Sequence, residues 1–287
     1  MDGETLVGSV ATIRRHPLKS AQGEELGRAD IGGRGIPGDR AWALVDRESG
    51  RVASAKLPRL WATVLDMRPA FVAEPVAGEP PPSLRITLPE GRVVLTGESG
   101  TDEAVSAAVG RPVTVSPTPP DEPTIDKEFP DLDGLGVRGV VLAGRIGELA
   151  AGTFFDYAPI HLLTTASLAT LAATYPAGAF DPRRFRPNLV IATPPGVDGF
   201  PENDWRDRVL AVGDVRLRIV APTPRCVLTT LPQDGLPRDV GILRAIADRN
   251  RLEFPGEEGP PLASLGVYAV VEQPGEVALG AKVRLLG

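Results

Sequence analysis

Thiols and imidazoles are scarce in this sequence. Its 287 residues include one cysteine, Cys226, and two histidines, His16 and His161. One cysteine excludes an intramolecular disulfide, and it excludes a Cys-rich zinc or iron–sulfur site built from this chain alone. Two histidines leave little for an imidazole metal site. Cys226 is therefore the residue whose chemistry most needs explaining.

Positive charge and long apolar runs are also lacking. The 31 Lys and Arg residues are outnumbered by 37 Asp and Glu residues, which gives a formal net charge of −6. A nonspecific nucleic-acid binder needs a strongly basic face, so we predict no nucleic-acid partner. The first residues, MDGETLVGSVATIRR, contain no apolar run long enough for a signal peptide or an anchor. We predict a cytoplasmic protein with no membrane partner.

Glycine and proline, in contrast, are abundant, with 32 and 30 residues. Such a composition is typical of many short strands joined by turns. VGSVATIRR predicts a first strand, and AWALVDRESGRVASA and SLRITLPEGRVVLTG predict two hairpins. TDEAVSAAVG predicts a short helix with Thr101 or Asp102 as N-cap and Gly110 at its end. The fold class predicted is mainly β with some α.

The chain divides at a Pro-rich stretch, SPTPPDEPTIDKEFPDLDG, which has five prolines among nineteen residues and breaks every regular pattern. We predict a β-barrel-like domain over residues 1–118, a connection over 119–158 and a second β-barrel with peripheral helices over 159–287. In that last part, HLLTTASLATLAATYP predicts a helix, VRLRIVAP predicts a half-exposed strand, and RDVGILRAIADRNRL predicts an amphipathic helix capped by Asp239.

The stretch APTPRCVLTT surrounds the single thiol. Pro224 restricts the backbone two residues before Cys226, and Arg225 places a permanent positive charge beside the sulfur. A neighbouring guanidinium favours the thiolate, which is the form that attacks electrophiles and binds metals. The alternative is a small buried residue that only fills space.

Two further groups of polar residues point to ligand binding. DPRRFRPNLVI holds Arg183, Arg184, Arg186 and Asn188. Guanidinium groups suit phosphate or carboxylate recognition, and Asn offers both a donor and an acceptor to a heterocycle. The alternative is a solvated arginine loop. HPLKS and IPGDRAW add the second group, which consists of Lys19, Ser20 and Arg40.

Together these motifs resemble one family. HPLKS, GDRAWALVD, LPRL, HLLTTASL, FRPNLVI, Trp205, PRCVLTT and LGVYAVVEQPGEVALGAKV occur in the order found in the MOSC-domain proteins, named for the molybdenum cofactor sulfurase C-terminal domain. The amidoxime-reducing component branch, which carries an N-terminal MOSC β-barrel domain, is the most similar. FRPN and PRCxLTT at this separation are the most specific part of the resemblance.

The resemblance implies a molybdenum cofactor, a metal bound to a pterin, with Cys226 as direct thiolate ligand to the metal and as the catalytic residue. A soft sulfur donor suits such a metal. It also implies that the cofactor lies in a cleft between the two halves, where the cations suit its phosphate and Asn188 suits the pterin edge. The implied cofactor-binding residues are Lys19, Ser20, Arg40, Thr164, Ser167, Arg186, Asn188 and Arg225.

The implied activity is two-electron reduction of an N-hydroxylated or otherwise N-oxygenated small molecule, with release of water. Some relatives carry an appended ferredoxin-like domain, but this chain has no cysteine cluster, so electrons would come from a separate ferredoxin- or flavoprotein-type electron-transfer protein. Two alternatives stay open. Cys226 could carry a persulfide as part of a sulfur-transfer protein, or the chain could bind the cofactor without turnover.

Some residues depart from the family pattern or have a plainer explanation. Lys56 stands where the family often has arginine or glutamine, which could alter contacts to substrate. The acidic residue that often follows LTT is displaced here to Asp234, which puts a role for it in doubt. We interpret His161 as a hydrogen-bonded structural residue and Trp205 as packing. His16 could line the cleft or lie on the surface.

Overall fold

The computed structural model describes residues 3–129, 140–256 and 258–287. Over these residues the strands are β1 Thr5–Arg15, β2 Glu24–Leu26, β3 Arg28–Ile31, β4 Ala43–Asp46, β5 Arg68–Phe71, β6 Leu84–Thr87, β7 Val93–Leu95, β8 Val113–Ser116, β9 Thr124–Phe129, β10 Val140–Arg145, β11 Ile160–Thr164, β12 Leu189–Ala192, β13 Val209–Val212, β14 Val215–Pro224, β15 Arg251–Leu252, β16 Leu262–Gln273, β17 Gly275–Ala278 and β18 Lys282–Leu285. The α-helices are α1 Pro58–Trp61, α2 Thr101–Val109, α3 Thr165–Thr174 and α4 Gly241–Arg249, and 3-10 helices cover Ala62–Asp66, Pro182–Arg184, Pro201–Trp205 and Val227–Thr230.

A closed barrel dominates the carboxy-terminal half. Its strands follow one another in the order β11, β12, β1, β18, β13, β14 and β16, and β16 pairs back with β11 to close the ring. In β14, Val215, Leu217 and Ile219 are fully buried, whereas Arg216 and Arg218 point away from the core. This alternation is expected of a strand with one face in the core and the other exposed to solvent. The mainly β fold with a carboxy-terminal barrel is confirmed.

The first strand belongs to this barrel by its pairing. Ile13 in β1 pairs with Leu189 in β12, and Thr5 pairs with Leu285 in β18. The prediction placed residues 1–118 in the amino-terminal domain, and β1 links that range to the barrel, since it pairs with β12 and β18 as well as with β2. Alternating residues indicate that a strand forms, but they do not indicate which distant strand will satisfy its hydrogen bonds. The division near residues 118 and 158 otherwise stays a prediction.

The rest of the amino-terminal half consists of small sheets around a core of their own. The second predicted hairpin is present as β6 and β7, with Ile86 opposite Val94. The first is different, because β4 pairs along its length with β8 and meets the following run only at the bridge between Val45 and Val52. The helix α2 begins after an N-cap at Gly100 rather than at the predicted residues, and it ends at Gly110.

The predicted Pro-rich connection is more ordered than its composition indicated. The strands β9 and β10 form an antiparallel hairpin, while the part of the connection at residues 130–139 lies outside the described residues. Ile125 in β9 is fully buried and packs with Phe154. This packing fixes the segment that continues to Asp156, on the way into β11.

The two longer helices of the carboxy-terminal half cover the outside of the barrel. They share a core with barrel strands, in which Leu171 of α3 and Ile246 of α4 are fully buried. Asp239 accepts a hydrogen bond from the Gly241 backbone N–H, although the N-cap position itself is Val240. Among the described residues no helix has both the length and the apolar character needed to cross a membrane.

Candidate functional site

An open cleft of about 720 Å³ lies where the two halves meet. Seven of the nine residues that the sequence predicted as a site line this cleft, namely Lys19, Ser20, Arg40, Arg186, Asn188, Arg225 and Cys226. The structure therefore brings together groups that are more than 200 positions apart in the chain, as the predicted shared cleft requires.

Cys226 lies between the end of β14 and the 3-10 helix Val227–Thr230. It is a free thiol of intermediate exposure rather than a buried filler, and its backbone carbonyl accepts a hydrogen bond from the Thr229 hydroxyl at 3.0 Å. In the described part of the chain, no three His, Cys, Asp or Glu side chains are grouped to hold a metal. A metal in this cleft would have Cys226 as its soft protein donor and would take its other donors from a cofactor or solvent.

Arg225 fastens the Cys226 loop to the barrel. Its Nε and Nη2 donate to the Leu265 carbonyl at 2.9 and 2.6 Å, and its Nη1 donates to the Phe185 carbonyl at 3.0 Å. Burial, and then the Arg225 charge, hold the pKa of His161 well below its usual range. The neutral ring can therefore accept from Arg225 at Nε2, over 2.5 Å. Most of the hydrogen-bond donors of Arg225 are therefore already paired within the protein. His161 is a hydrogen-bonded structural residue, as we interpreted.

Arg184 fixes the chain that follows Cys226. Its side chain is fully buried, and its guanidinium donates only to backbone carbonyls, those of Ala179 at 3.0 Å, Thr229 at 3.4 Å, Leu231 at 3.2 Å and Pro237 at 2.7 Å. The sequence placed it in a ligand-binding arginine cluster. The structure shows instead that its hydrogen-bonding capacity is used to hold loops. Arg183 turns away to pair with Asp181 and Asp234.

Asn188 is also occupied by the protein. Its Nδ2 donates to the Arg14 carbonyl at 3.3 Å and to Asp39 Oδ2 at 2.8 Å, and its Oδ1 accepts from the His161 backbone N–H at 3.0 Å. Both amide hydrogens that could have faced a heterocycle are thus already donated. Asn188 lines the cleft, but its main role in this structure is to join segments.

Backbone strain is concentrated at the cleft. Ser20, Arg40 and Arg186 have φ values of 66°, 49° and 55°, in the left-handed region that non-glycine residues seldom adopt. Of the five non-glycine residues with positive φ in the described chain, these three line the same cleft. Such conformations persist where surrounding contacts fix them, and they are frequent at functional sites.

A partly exposed carboxylate joins two lysines on the cleft wall. Lys19 Nζ donates to the Phe154 carbonyl at 2.7 Å and to Asp156 Oδ1 at 2.6 Å, and Lys56 Nζ lies 2.8 Å from Asp156 Oδ2. Burial lowers the pKa of Lys19 to about 8, although the Asp156 charge opposes this. Burial would raise the pKa of Asp156, but the two lysines outweigh it and hold that pKa well below its usual range. Asp156 was missed because it lies in the predicted connection.

The cleft has polar groups that the protein leaves unsatisfied. Arg186 Nη2 and Thr223 Oγ1 are buried and have no hydrogen-bond partner, and both residues line the cleft. Burial lowers the pKa of Arg186 to about 9. Besides Arg184, whose donors are used within the protein, five cationic residues and one carboxylate, that of Asp156, line the cleft; the cations are Lys19, Arg40, Lys56, Arg186 and Arg225. An anionic ligand with several acceptor oxygens fits these groups, since it would pair a buried donor that is otherwise orphaned.

Thr164 and Ser167 are not placed in this cleft. Both are fully buried at the start of α3, where Thr164 is the N-cap and accepts from the Ser167 backbone N–H. Their hydroxyls donate to Glu202 Oε2 at 2.7 and 2.6 Å. The N-cap geometry directs both side chains to the helix start, where they compensate a buried carboxylate. Glu202 Oε1 has no partner.

We expect Glu202→Gln to change how stability depends on pH. Burial raises the pKa of Glu202, so the folded protein binds this proton more tightly than the unfolded chain, whose Glu pKa is about 4.3. This group therefore favours folding most below about pH 4 and progressively less as pH rises through its raised folded pKa. The melting temperature of the wild type relative to Glu202→Gln should fall as the pH rises above about 4. Parallel pH profiles for the two proteins would contradict this, and exposed Glu98→Gln serves as the control.

Two other predicted placements are settled by burial. His16 is almost fully buried and lies behind the cleft, in a separate small pocket beside Arg186, so the surface alternative is wrong. Burial holds the pKa of its ring well below the usual range. Trp205 packs inside the barrel core, as interpreted.

Comparison with known proteins finds similar family models, relatives and a solved structure. Residues 7–104 match the model of the MOSC N-terminal beta barrel domain, and residues 150–284 match the model of the MOSC domain. Mitochondrial amidoxime reducing component 2 of Rattus norvegicus is 27% identical over 96% of this chain and 83% of its own length. Mitochondrial amidoxime-reducing component 1 of Homo sapiens is 26% identical over 98% and 84%. Among solved structures, the YUAD protein from Bacillus subtilis matches with a TM-score of 0.46 at 10% identity, over 100% of this chain and 99% of its own.

Proposed function

Because this chain belongs to the MOSC-domain family, we propose that it is a molybdenum-cofactor-dependent reductase of N-oxygenated small molecules. The relatives that match nearly its whole length are named for amidoxime reduction. The observation that carries the proposal is the single thiol, Cys226, in a cation-rich cleft where one buried guanidinium nitrogen, Arg186 Nη2, has no partner. The cytoplasmic location stays part of this proposal, although the relatives are named mitochondrial.

Each part of the cleft has a distinct task in this proposal. Cys226 is the protein ligand to molybdenum, and the bound cofactor supplies two-electron reduction. Ser20, Arg40 and Arg186 would bind its phosphate, with the free donor of Arg186 as the strongest candidate contact, and Lys19 would border the cofactor. Arg225 and Asn188 border the cofactor, and their hydrogen bonds hold the cleft walls in place.

Proton supply can come from the cleft wall. Reduction of an N–OH group to N–H with release of water consumes two protons and two electrons. Lys19 Nζ, whose pKa burial lowers to about 8, is protonated near neutral pH and can transfer its proton more readily than an ordinary lysine. The electrons come from a separate electron-transfer protein, because one cysteine cannot hold an iron–sulfur cluster.

The first test is the content and activity of the purified protein. Protein made in a cofactor-producing host should contain near-stoichiometric molybdenum and pterin, and it should reduce benzamidoxime with an artificial electron donor. Protein from a host that cannot make the pterin is the control and should do neither. Loaded protein that reduces no N-hydroxylated compound would favour a binding module. Protein without metal or pterin, but with a persulfide on Cys226 by mass spectrometry, would replace the proposal with sulfur transfer.

A further inference from the structure

One buried carboxylate that the sequence did not single out lies behind the cleft. The Asp39 side chain has no exposure to solvent. Its Oδ1 accepts from the His16 backbone N–H at 2.7 Å. Its Oδ2 accepts from Asn188 Nδ2 at 2.8 Å and from Arg40 Nη1. The carboxylate thus joins the segment after β1, its own loop and the chain just before β12.

Such a carboxylate is stable only because its partners are complete. Burial by itself would raise the pKa of Asp39, but the Arg40 charge and the hydrogen bonds from His16 outweigh it and keep the pKa below its usual range. A buried, ionised carboxylate with three donors is a rigid junction, since loss of one donor leaves charge uncompensated.

Two chains of hydrogen bonds lead from this junction to residues that line the cleft. In the first chain, Arg40 Nη2 donates to the Arg186 carbonyl at 3.1 Å. This contact holds Arg186, which has a strained backbone and carries the orphaned Nη2. Asp39 thereby acts on the group best placed to bind an anion, without lining that cleft itself.

The second chain of hydrogen bonds leads to the residue beside the thiol. Asn188 accepts from the backbone N–H of His161, and the His161 ring accepts from Arg225, the residue immediately before Cys226. Asn188, which the sequence predicted as a ligand contact, therefore links Asp39 to the loop that carries Cys226.

We propose that Asp39 is a positioning residue for the anion-binding cleft, which sets Arg40 and Arg186 through one chain of hydrogen bonds and Arg225, next to Cys226, through the other. The identity of the anion as the molybdenum cofactor rests on the proposed function, whereas the positioning role itself does not. The charge of Asp39 and its positioning role predict opposite changes in anion binding when the carboxylate is removed. Removing a carboxylate makes the cleft more positive and should by charge alone tighten anion binding, whereas loss of positioning weakens it.

The test compares Asp39→Asn with Asp46→Asn. Asp46 is also buried and paired with an arginine, Arg111, but it does not line the cleft. Cofactor-free wild type should gain melting temperature on addition of inorganic pyrophosphate. Asp39→Asn should lose most of that gain, and Asp46→Asn should keep it, even though both variants melt lower than the wild type without ligand.

Protein from a cofactor-producing host gives a second readout. Molybdenum and pterin retained per folded molecule should fall about 10- to 100-fold in Asp39→Asn, the usual range for losing a supporting contact of a metal site, and should be unchanged in Asp46→Asn. If Asp39→Asn does not fold, Asp39→Glu keeps the charge but displaces the carboxylate by a methylene, and it should show the same losses.

The outcomes separate this inference from the proposed function. Pyrophosphate binding by Asp39→Asn that equals or exceeds that of the wild type would overturn the positioning role, as would equal losses in Asp46→Asn. Wild type that holds no molybdenum or pterin would refute the proposed function, while the pyrophosphate comparison would still decide the role of Asp39. A wild type that responds neither to pyrophosphate nor to the cofactor would overturn both.

Discussion

Replacing Cys226 by serine is expected to strip most of the molybdenum from the protein and to lower kcat/KM for amidoxime reduction by at least about 100-fold, since loss of even a supporting contact of a metal site costs up to that much. The sequence has no second cysteine, so no other thiolate can take its place. A hydroxyl is a harder donor and stays protonated at neutral pH, and it therefore binds a sulfur-preferring metal poorly.

The stability of this variant should hardly change, so a loss of metal can be assigned to the missing thiolate rather than to unfolding. Cys226 is only partly buried, and the hydrogen bond from Thr229 goes to its backbone carbonyl, which serine keeps. Metal content by elemental analysis, kinetics and thermal unfolding should be measured on the same preparation. Cys226→Ser protein with full metal content and an unaltered metal spectrum would show that the thiolate is not a ligand.

Arg184→Met is expected to reduce the free energy of unfolding by about 3–5 kcal/mol, because several carbonyls lose their donor and each buried acceptor left unsatisfied costs about 1–3 kcal/mol. The substitution keeps an unbranched side chain but removes the donors to four carbonyls, those of Ala179, Thr229, Leu231 and Pro237. Carbonyls left buried without partners account for most of the cost. The loop after Cys226 should also lose its fixed shape.

Urea unfolding followed by circular dichroism measures this change. Arg244→Met, at an exposed position of α4, is the matched control and should alter the free energy of unfolding by no more than about 0.5 kcal/mol. A loss below about 1 kcal/mol in Arg184→Met would mean that water satisfies those carbonyls and that Arg184 does not organise the loop.

Local sequence patterns predicted the strands, helices and candidate residues better than they predicted which strands pair with each other. The alternation in β14 and the turn between β6 and β7 are properties of short segments, and both are confirmed. The pairing of β1 with β18 and of β4 with β8 depends on which edges meet after the chain collapses, and no local pattern reports that. Strand existence was therefore predictable, whereas strand partners were not.

The candidate site shows the same division. Cys226, Arg186 and Lys19 stand out by residue type and by their neighbours. Asp39 does not, because an acid beside Arg40 in a Gly-containing loop is typical of an ordinary turn. Its importance comes from burial and from partners distant in the chain. Asp156 carried no signal at all in a stretch that was predicted as a connection.

The pairing of β1 with β18 also affects how the protein is made. Synthesis proceeds at about 5–20 residues per second, so the first strand leaves the ribosome many seconds before its partner exists. During that interval one edge of β1 has no neighbour, and an unpaired edge invites association with other chains. The edge of β1 that faces β18 therefore stays open until β18 has been made, and the barrel cannot close before then.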